Sequence, residues 1–254
     1  MAADHFSALA ASYVAGRPGY PDSLFAWLAG LCATHELAWD CGAGSGQASA
    51  ALAAHFDHVV ATDASAAQLE HAPGHDRIDY RVAKAEASGL ADGSVDLVVV
   101  AQALHWFDLD RFYPEVRRAL KPTGVIAVWT YGVIIVGDDA DDPRNRADAI
   151  VQHFYRDVVG PHWPAERRHV ESGYRDLAFP FRPVAPEAFS MTVNWRLDDV
   201  VRYARTWSAT GRYQQATGVD PVPALESELA TVWGTGDRIR EIRWPLTLRV
   251  GRVS

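Results

Sequence analysis

The chain has 254 residues, of which 48% are hydrophobic, and a formal net charge of -8. That length and apolar content suit one α/β domain with additions. The acidic balance disfavours a polyanionic partner, so no nucleic acid is expected. Cys32 and Cys41 are the only cysteines, too few for a disulfide framework. The opening Met1-Ala2-Ala3-Asp4-His5 has neither a basic n-region nor an apolar h-region, and no uncharged apolar run approaches the ~20 residues of a membrane helix. The expectation is a cytoplasmic protein with no membrane partner.

Residues 5–31 carry a helical pattern, interrupted by Gly16-Arg17-Pro18-Gly19-Tyr20-Pro21. Strand and helix signals then alternate. Strands are predicted at 37–41, 59–63, 78–82, 95–101 and 125–131, and helices at 46–56, 65–71 and 109–119, with a short one near Glu86. Four of the six residues from Val95 to Val100 are β-branched valines, as suits a strand buried on both faces. Pro122-Thr123-Gly124 turns the chain into the fifth strand. Alternating β and α units imply a doubly wound, mostly parallel sheet.

Beyond Gly132 the rhythm changes. Asp138-Asp139-Ala140-Asp141-Asp142-Pro143 reads as a solvated loop, since it lacks the glycine and the closing glutamate of a calcium loop. No metal site is expected there. A helix over 146–159, a sixth strand over 188–195 and helices over 197–203 and 224–233 follow. Residues 240–250 alternate around Pro245 and predict an edge strand, where proline is tolerated. The expected organisation is one domain, 1–254: an N-terminal cap (1–36), a cofactor-binding core (37–133), a substrate-covering insertion (134–239) and the edge strand (240–254).

The most informative stretch is Asp40-Cys41-Gly42-Ala43-Gly44-Ser45-Gly46-Gln47. An apolar run precedes it and an alanine-rich segment follows. Strand, glycine turn and helix make the geometry of a nucleotide-type cofactor site. Cys41 within it reads as a small buried filler. A second acid, Asp63, ends the next apolar run, at a spacing suited to ribose hydroxyls. A dinucleotide would bring a pyrophosphate to the helix N-terminus, against Asp40. S-adenosylmethionine (SAM) has no phosphate and carries an ammonium and a sulfonium, so an acid at the strand end favours it. The third glycine also follows after one residue instead of the two of the dinucleotide pattern. An NAD-dependent oxidoreductase and a non-catalytic SAM-binding protein are the alternatives.

Ala101 and Gln102 end the fourth strand and lead into Ala103-Leu104-His105-Trp106-Phe107-Asp108. In an open α/β sheet, ligands bind outside the carboxyl ends of the strands. Strands one, two and four then bring Asp40, Asp63 and His105 to one edge. His105 is a candidate catalytic base or substrate-positioning residue, and Trp106 a candidate wall that excludes water. The plainer reading of the loop is packing, with Asp108 as a helix cap. Most of the nine tryptophans are expected in the core.

Together, the glycine stretch, Ala61-Thr62-Asp63-Ala64-Ser65, Gly93-Ser94-Val95-Asp96-Leu97, Ala103-Leu104-His105-Trp106-Phe107 and the approach from Phe112 to Gly124 resemble a class I SAM-dependent methyltransferase of the type 11 family. The opening Tyr13-Val14-Ala15-Gly16-Arg17-Pro18-Gly19-Tyr20-Pro21 resembles the branch that includes trans-aconitate methyltransferases. The resemblance is strong over the first half and thin beyond it.

It implies a Rossmann-like seven-stranded sheet, SAM as cofactor and S-adenosylhomocysteine as product. It places the methionine part of SAM on Asp40 and the Gly42, Ala43, Gly44, Gly46, Gln47 turn, the ribose on Asp63, and the adenine beside Ala64, Ala85 and Glu86. It sets Gln102 next to the transferred methyl and lets Tyr13 and Arg17 close over SAM. Lys84 departs from the family pattern, which often has an aspartate there. The implied reaction is methylation, at oxygen, of a small and carboxylate-bearing molecule.

Overall fold

The computed structural model describes residues 18–137, 146–235 and 237–253. Its first half alternates as the sequence predicts: α1 (Asp22–Gly30), β1 (Leu37–Cys41), α2 (Gln47–Leu52), β2 (His58–Asp63), α3 (Ala66–Leu69), β3 (Ile78–Val82), β4 (Val95–Ala101), α4 (Leu109–Ala119) and β5 (Leu120–Tyr131). Then come β6 (Ile135–Val136), α5 (Arg146–His153), α6 (Arg167–Glu171), β7 (Arg182–Val184), β8 (Phe189–Trp195), α7 (Leu197–Arg205), α8 (Ser208–Thr217), α9 (Val222–Trp233) and β9 (Arg240–Arg252).

Among the described residues, all nine strands join one sheet. β3, β2, β1, β4 and β5 run parallel in that order, and β9 pairs antiparallel to β5. Leu246 of β9 pairs with Tyr131 on one edge and with Phe189 on the other, and Val250 pairs with both Ala127 and Val184. So β5 and β6 share one edge of β9, while β7 and β8 share the opposite edge. Nine segments thus fill seven rows, which is the seven-stranded pattern expected.

Side-chain alternation along the parallel strands builds a core on each face. Ala38, Leu97, Val99, Val125 and Ala127 point to one face, where Leu24, Phe25 and Leu28 of α1, Leu52 of α2 and Leu225, Leu229 and Trp233 of α9 cover them. Trp39, Val98, Val100, Ile126 and Val128 point to the other, under Phe112, Tyr113 and Val116 of α4. β4 is buried along nearly its whole length, as its β-branched run requires.

Three expectations need correction. β9 is an interior strand, paired on both edges; Pro245 stands between the β5 pairing, which ends at Leu246, and the β6 pairing, which begins at Arg243. In that gap a missing N–H breaks no bond to either strand. The short helix near Glu86 is a turn, in which the Ala87 N–H donates to the Lys84 carbonyl at 3.1 Å. The helix over 146–159 widens after His153 into a π-helical turn, Phe154–Val158. The acidic run 138–143 lies outside the described residues, as do Tyr13 and Arg17.

Candidate functional site

β1 delivers Asp40 to the carboxyl edge of the sheet and buries it completely. Ser49 on α2 donates a hydrogen bond to Asp40 Oδ2 at 2.5 Å. Oδ1 is buried without a partner. Burial raises the Asp40 pKa to about 6, with the Asp63 charge adding to it and Ser49 opposing. Tyr80 on β3 has the second orphan of this neighbourhood: its hydroxyl is buried and unpaired, and it stands where a side chain on Gly46 would be.

The turn after β1 needs its glycines at two places in particular. Gly42 has φ +74°, and a Cβ there would lie 2.7 Å from the Ala103 Cβ. Gly46 has φ +78°, and a Cβ there would lie 2.6 Å from the Tyr80 hydroxyl. Any other residue would be both strained and blocked. The first contact also packs the glycine turn against the loop that carries His105. Gln47 begins α2, but its side-chain amide donates to the Pro18 carbonyl at 3.1 Å and so ties the opening segment to the turn. Tyr20 follows, edge-on to Trp129 at 5.4 Å.

Asp63, at the end of β2, accepts from the Gly44 N–H at 2.9 Å and from the Ser65 N–H at 2.8 Å. One carboxylate thus fixes the turns after β1 and β2, and each oxygen keeps a lone pair for a further donor. Ala64 is exposed beside it, and Ala85 is buried. Glu86 accepts from the Asp108 N–H at 3.0 Å, which satisfies a backbone donor at the start of α4. Asp108 holds the N-cap position, but its side chain makes no capping bond. Lys84 is exposed.

After Ala101 the chain makes a strained step. Gln102 has φ +58°, unusual without a glycine. Its amide is locked to β5: Nε2 donates to the Tyr131 carbonyl at 3.1 Å, and Oε1 accepts from the Tyr131 N–H at 3.0 Å and from the Thr130 hydroxyl. Three bonds hold the step in place despite its strain. His105 follows in a single 3-10 turn, Leu104–Trp106. Its Nδ1 lies 3.0 Å from the hydroxyl of Tyr174, a fully buried residue. Burial first, then the charges of Arg167 and His169, hold its pKa near 4, against an ordinary 6.5; Glu166 opposes them weakly. The imidazole is therefore neutral at pH 7. Trp106 stands half exposed with its ring 4.8 Å from that of His105.

Sequence reasoning did not single out Tyr80, Ser49, Tyr174 or Arg167. Ser49 lies within a small-residue helix, and Tyr80 looks like any strand aromatic. Tyr174 comes from far along the chain; its own φ is +60°, after Gly173 at φ +63°, and Arg249 binds its carbonyl. No local pattern marks such a residue.

A ligand with an ammonium suits the unpaired Asp40 Oδ1, vicinal hydroxyls suit Asp63, and the glycine turn leaves room for close approach. The family described as a methyltransferase domain matches residues 39–128. A protein of Dictyostelium discoideum named as a methyltransferase is 32% identical over 250 residues, covering 96% of this chain and 92% of its own. A structure from Anaeromyxobacter dehalogenans, described as a type II methyltransferase, superposes with a TM-score of 0.86 at 42% identity, over 93% of this chain and 98% of that one. The chain belongs to the class I SAM-dependent methyltransferases. As a methyltransferase of this fold it takes SAM as its cofactor, and the oxidoreductase alternative falls. A structure from Anabaena variabilis, described as a methyltransferase from an antibiotic biosynthesis pathway, shares the fold at 19% identity and a TM-score of 0.51. None of these names specifies a trans-aconitate branch or an acceptor. Among the described residues of this methyltransferase, no helix is long and apolar enough to cross a membrane, and no cluster could hold a metal ion.

Proposed function

We propose that this methyltransferase carries a methyl group to an oxygen of a small, carboxylate-bearing acceptor bound at the His105 edge of the sheet. The observation that carries this reading is the neutral His105 imidazole, fixed through Nδ1 by Tyr174 at 3.0 Å and joined to the glycine turn through the Gly42–Ala103 contact. SAM, when bound, supplies an electrophilic methyl on its sulfonium.

The chain's own residues then have two tasks. Asp40 holds the ammonium, and Asp63 the ribose hydroxyls, with the Gly42–Gly46 turn leaving space for the methionine part. Ala64, Ala85 and Glu86 flank the adenine, and Gln102 lies beside the methyl. Displacement needs the acceptor oxygen close, aligned and dry. A carboxylate oxygen is already a nucleophile and needs only positioning. A hydroxyl must lose a proton, which the free Nε2 lone pair of His105 can take when Nδ1–H donates to Tyr174. The segment that brings Tyr174 to His105 serves as part of the cover that excludes water; Tyr13 and Arg17, which the resemblance assigns to that cover, lie outside the described residues. The test is a transfer assay with isotope-labelled SAM against carboxylic acids, phenols and amines, with the product identified by mass. Label in an ester or an ether supports the reading; label only in amines overturns it.

A further inference from the structure

Arg167 is a cation whose surroundings are built for a guest. Its guanidinium lies 4.6 Å over the Trp163 ring and 5.5 Å over the Tyr155 ring. Its Nε donates to the Tyr155 hydroxyl at 2.8 Å, and that hydroxyl donates in turn to Glu171 at 2.9 Å. Glu171, the acid in this cluster, is thus occupied by a tyrosine. Among the described residues no carboxylate forms an ion pair with Arg167. Stacking holds a guanidinium flat and leaves its outer N–H edge free to present a fork.

Arg167 lines a cavity of about 340 Å³, within the range of small-molecule sites. Arg156, Arg167 and Arg168 line it against the single acid Glu171, so its wall is positive in a chain whose net charge is -8. Trp163 also lines it, and its indole Nε1 is buried with no partner. A buried orphan donor beside a guanidinium with no carboxylate partner asks for an acceptor. The cavity is joined to the chemistry through α6, whose His169 carbonyl accepts from the Tyr174 N–H at 2.8 Å, while the Tyr174 hydroxyl lies 3.0 Å from His105 Nδ1.

We infer that the cavity walled by Tyr155, Trp163 and Arg167 binds a carboxylate of the acceptor, as a handle that is not itself methylated. The inference rests on the reading of the His105 edge as the acceptor site. The handle and the reacting group must differ for an electronic reason. A guanidinium draws charge from the carboxylate it binds and makes it a poorer nucleophile. The reacting oxygen therefore faces His105, and the acceptor carries at least two oxygen functions, one of them an acid. Trp163 and Tyr155 favour a flat or unsaturated skeleton next to that acid.

Calorimetry with benzoate and phthalate, and with benzamide as the neutral match, tests this on the full chain. The acids should bind saturably and benzamide should not. Arg167→Gln should weaken acid binding by about 10- to 100-fold, as for a lost charged hydrogen bond, and leave SAM affinity unchanged. Arg167→Lys, which keeps the charge and loses the fork, should fall between them, and it carries the test if the glutamine variant does not fold. No saturable acid binding, equal binding of benzamide, or wild-type affinity in Arg167→Gln overturns the inference. The function reading fails separately: an acid that binds through Arg167, while labelled SAM methylates only amines, leaves the anion site standing and sinks oxygen transfer.

Discussion

Asp40 Oδ1 has no hydrogen-bond partner inside the chain, and this single atom makes the site responsive to pH. Its acid is raised from an ordinary 3.8 to about 6, chiefly by burial. Between those values the native protein holds a proton that the unfolded chain has lost, so the ligand-free protein loses stability as pH rises through that window. Ammonium recognition needs the ionised form. SAM affinity should therefore rise with pH and level off above about 6, with a limiting slope of about tenfold per pH unit below it. Calorimetry from pH 5 to 7.5 checks this, and Asp40→Asn should bind weakly with a flat profile. At His105 the sign is reversed: a depressed histidine pKa keeps the imidazole neutral down to about 4. His105→Ala should leave SAM affinity within about twofold of wild type if the residue serves the acceptor as proposed. With a hydroxyl acceptor, turnover should fall about 10²–10⁴-fold; with a carboxylate acceptor the loss should appear in KM. Wild-type values of both constants would remove His105 from the site.

Strand, turn and helix form the unit at the next scale. β1, the glycine turn and α2 were legible because each demands a distinct residue type: apolar, conformationally free, then small. β3, β4 and α4 begin and end where their patterns did. What local pattern could not give was the partner of each glycine. Gly46 is required by its φ of +78° and by Tyr80, which arrives from β3. Gly46→Ala should weaken SAM binding by more than tenfold, since the turn must shift to relieve a 2.6 Å approach while also adopting a strained angle. Adding Tyr80→Phe should relieve part of the steric loss only. A Gly46→Ala protein with wild-type SAM affinity would show that this turn does not touch the cofactor. α8 escaped notice because Gly211 and a polar composition blur its periodicity, and β7 because three residues on a sheet edge leave no pattern.

For the whole molecule, β9 is the organiser. It closes the sheet by pairing with β5 and β6 on one side and β7 and β8 on the other, and so draws the last half of the chain onto the first. Trp244 at its centre is 1% exposed, and its indole N–H donates to the Tyr203 hydroxyl at 3.0 Å. Trp244→Ala should lower unfolding free energy by about 3–5 kcal/mol, read from urea denaturation. SAM affinity of the remaining folded protein should hold, because Asp40, Asp63 and the glycine turn lie on β1 and β2. Loss of SAM binding in a fully folded variant would show that the two halves are coupled more tightly than their pairing suggests.

By itself the sequence determined the parallel half of the sheet, its doubly wound character and the strand ends that carry Asp40, Asp63 and His105. Periodicity, glycine and chain-edge acids are local signals, and each acts over a few residues. Only the tertiary structure decided that β9 is interior, that Gln102 spends its amide on β5, that Tyr174 orients His105 and that Arg167 stands above Trp163 with no carboxylate partner among the described residues. The first three of those facts join residues about 30 to more than 100 positions apart. Such pairings are chosen by the burial and hydrogen bonding of the whole chain, and no short stretch of residues encodes them.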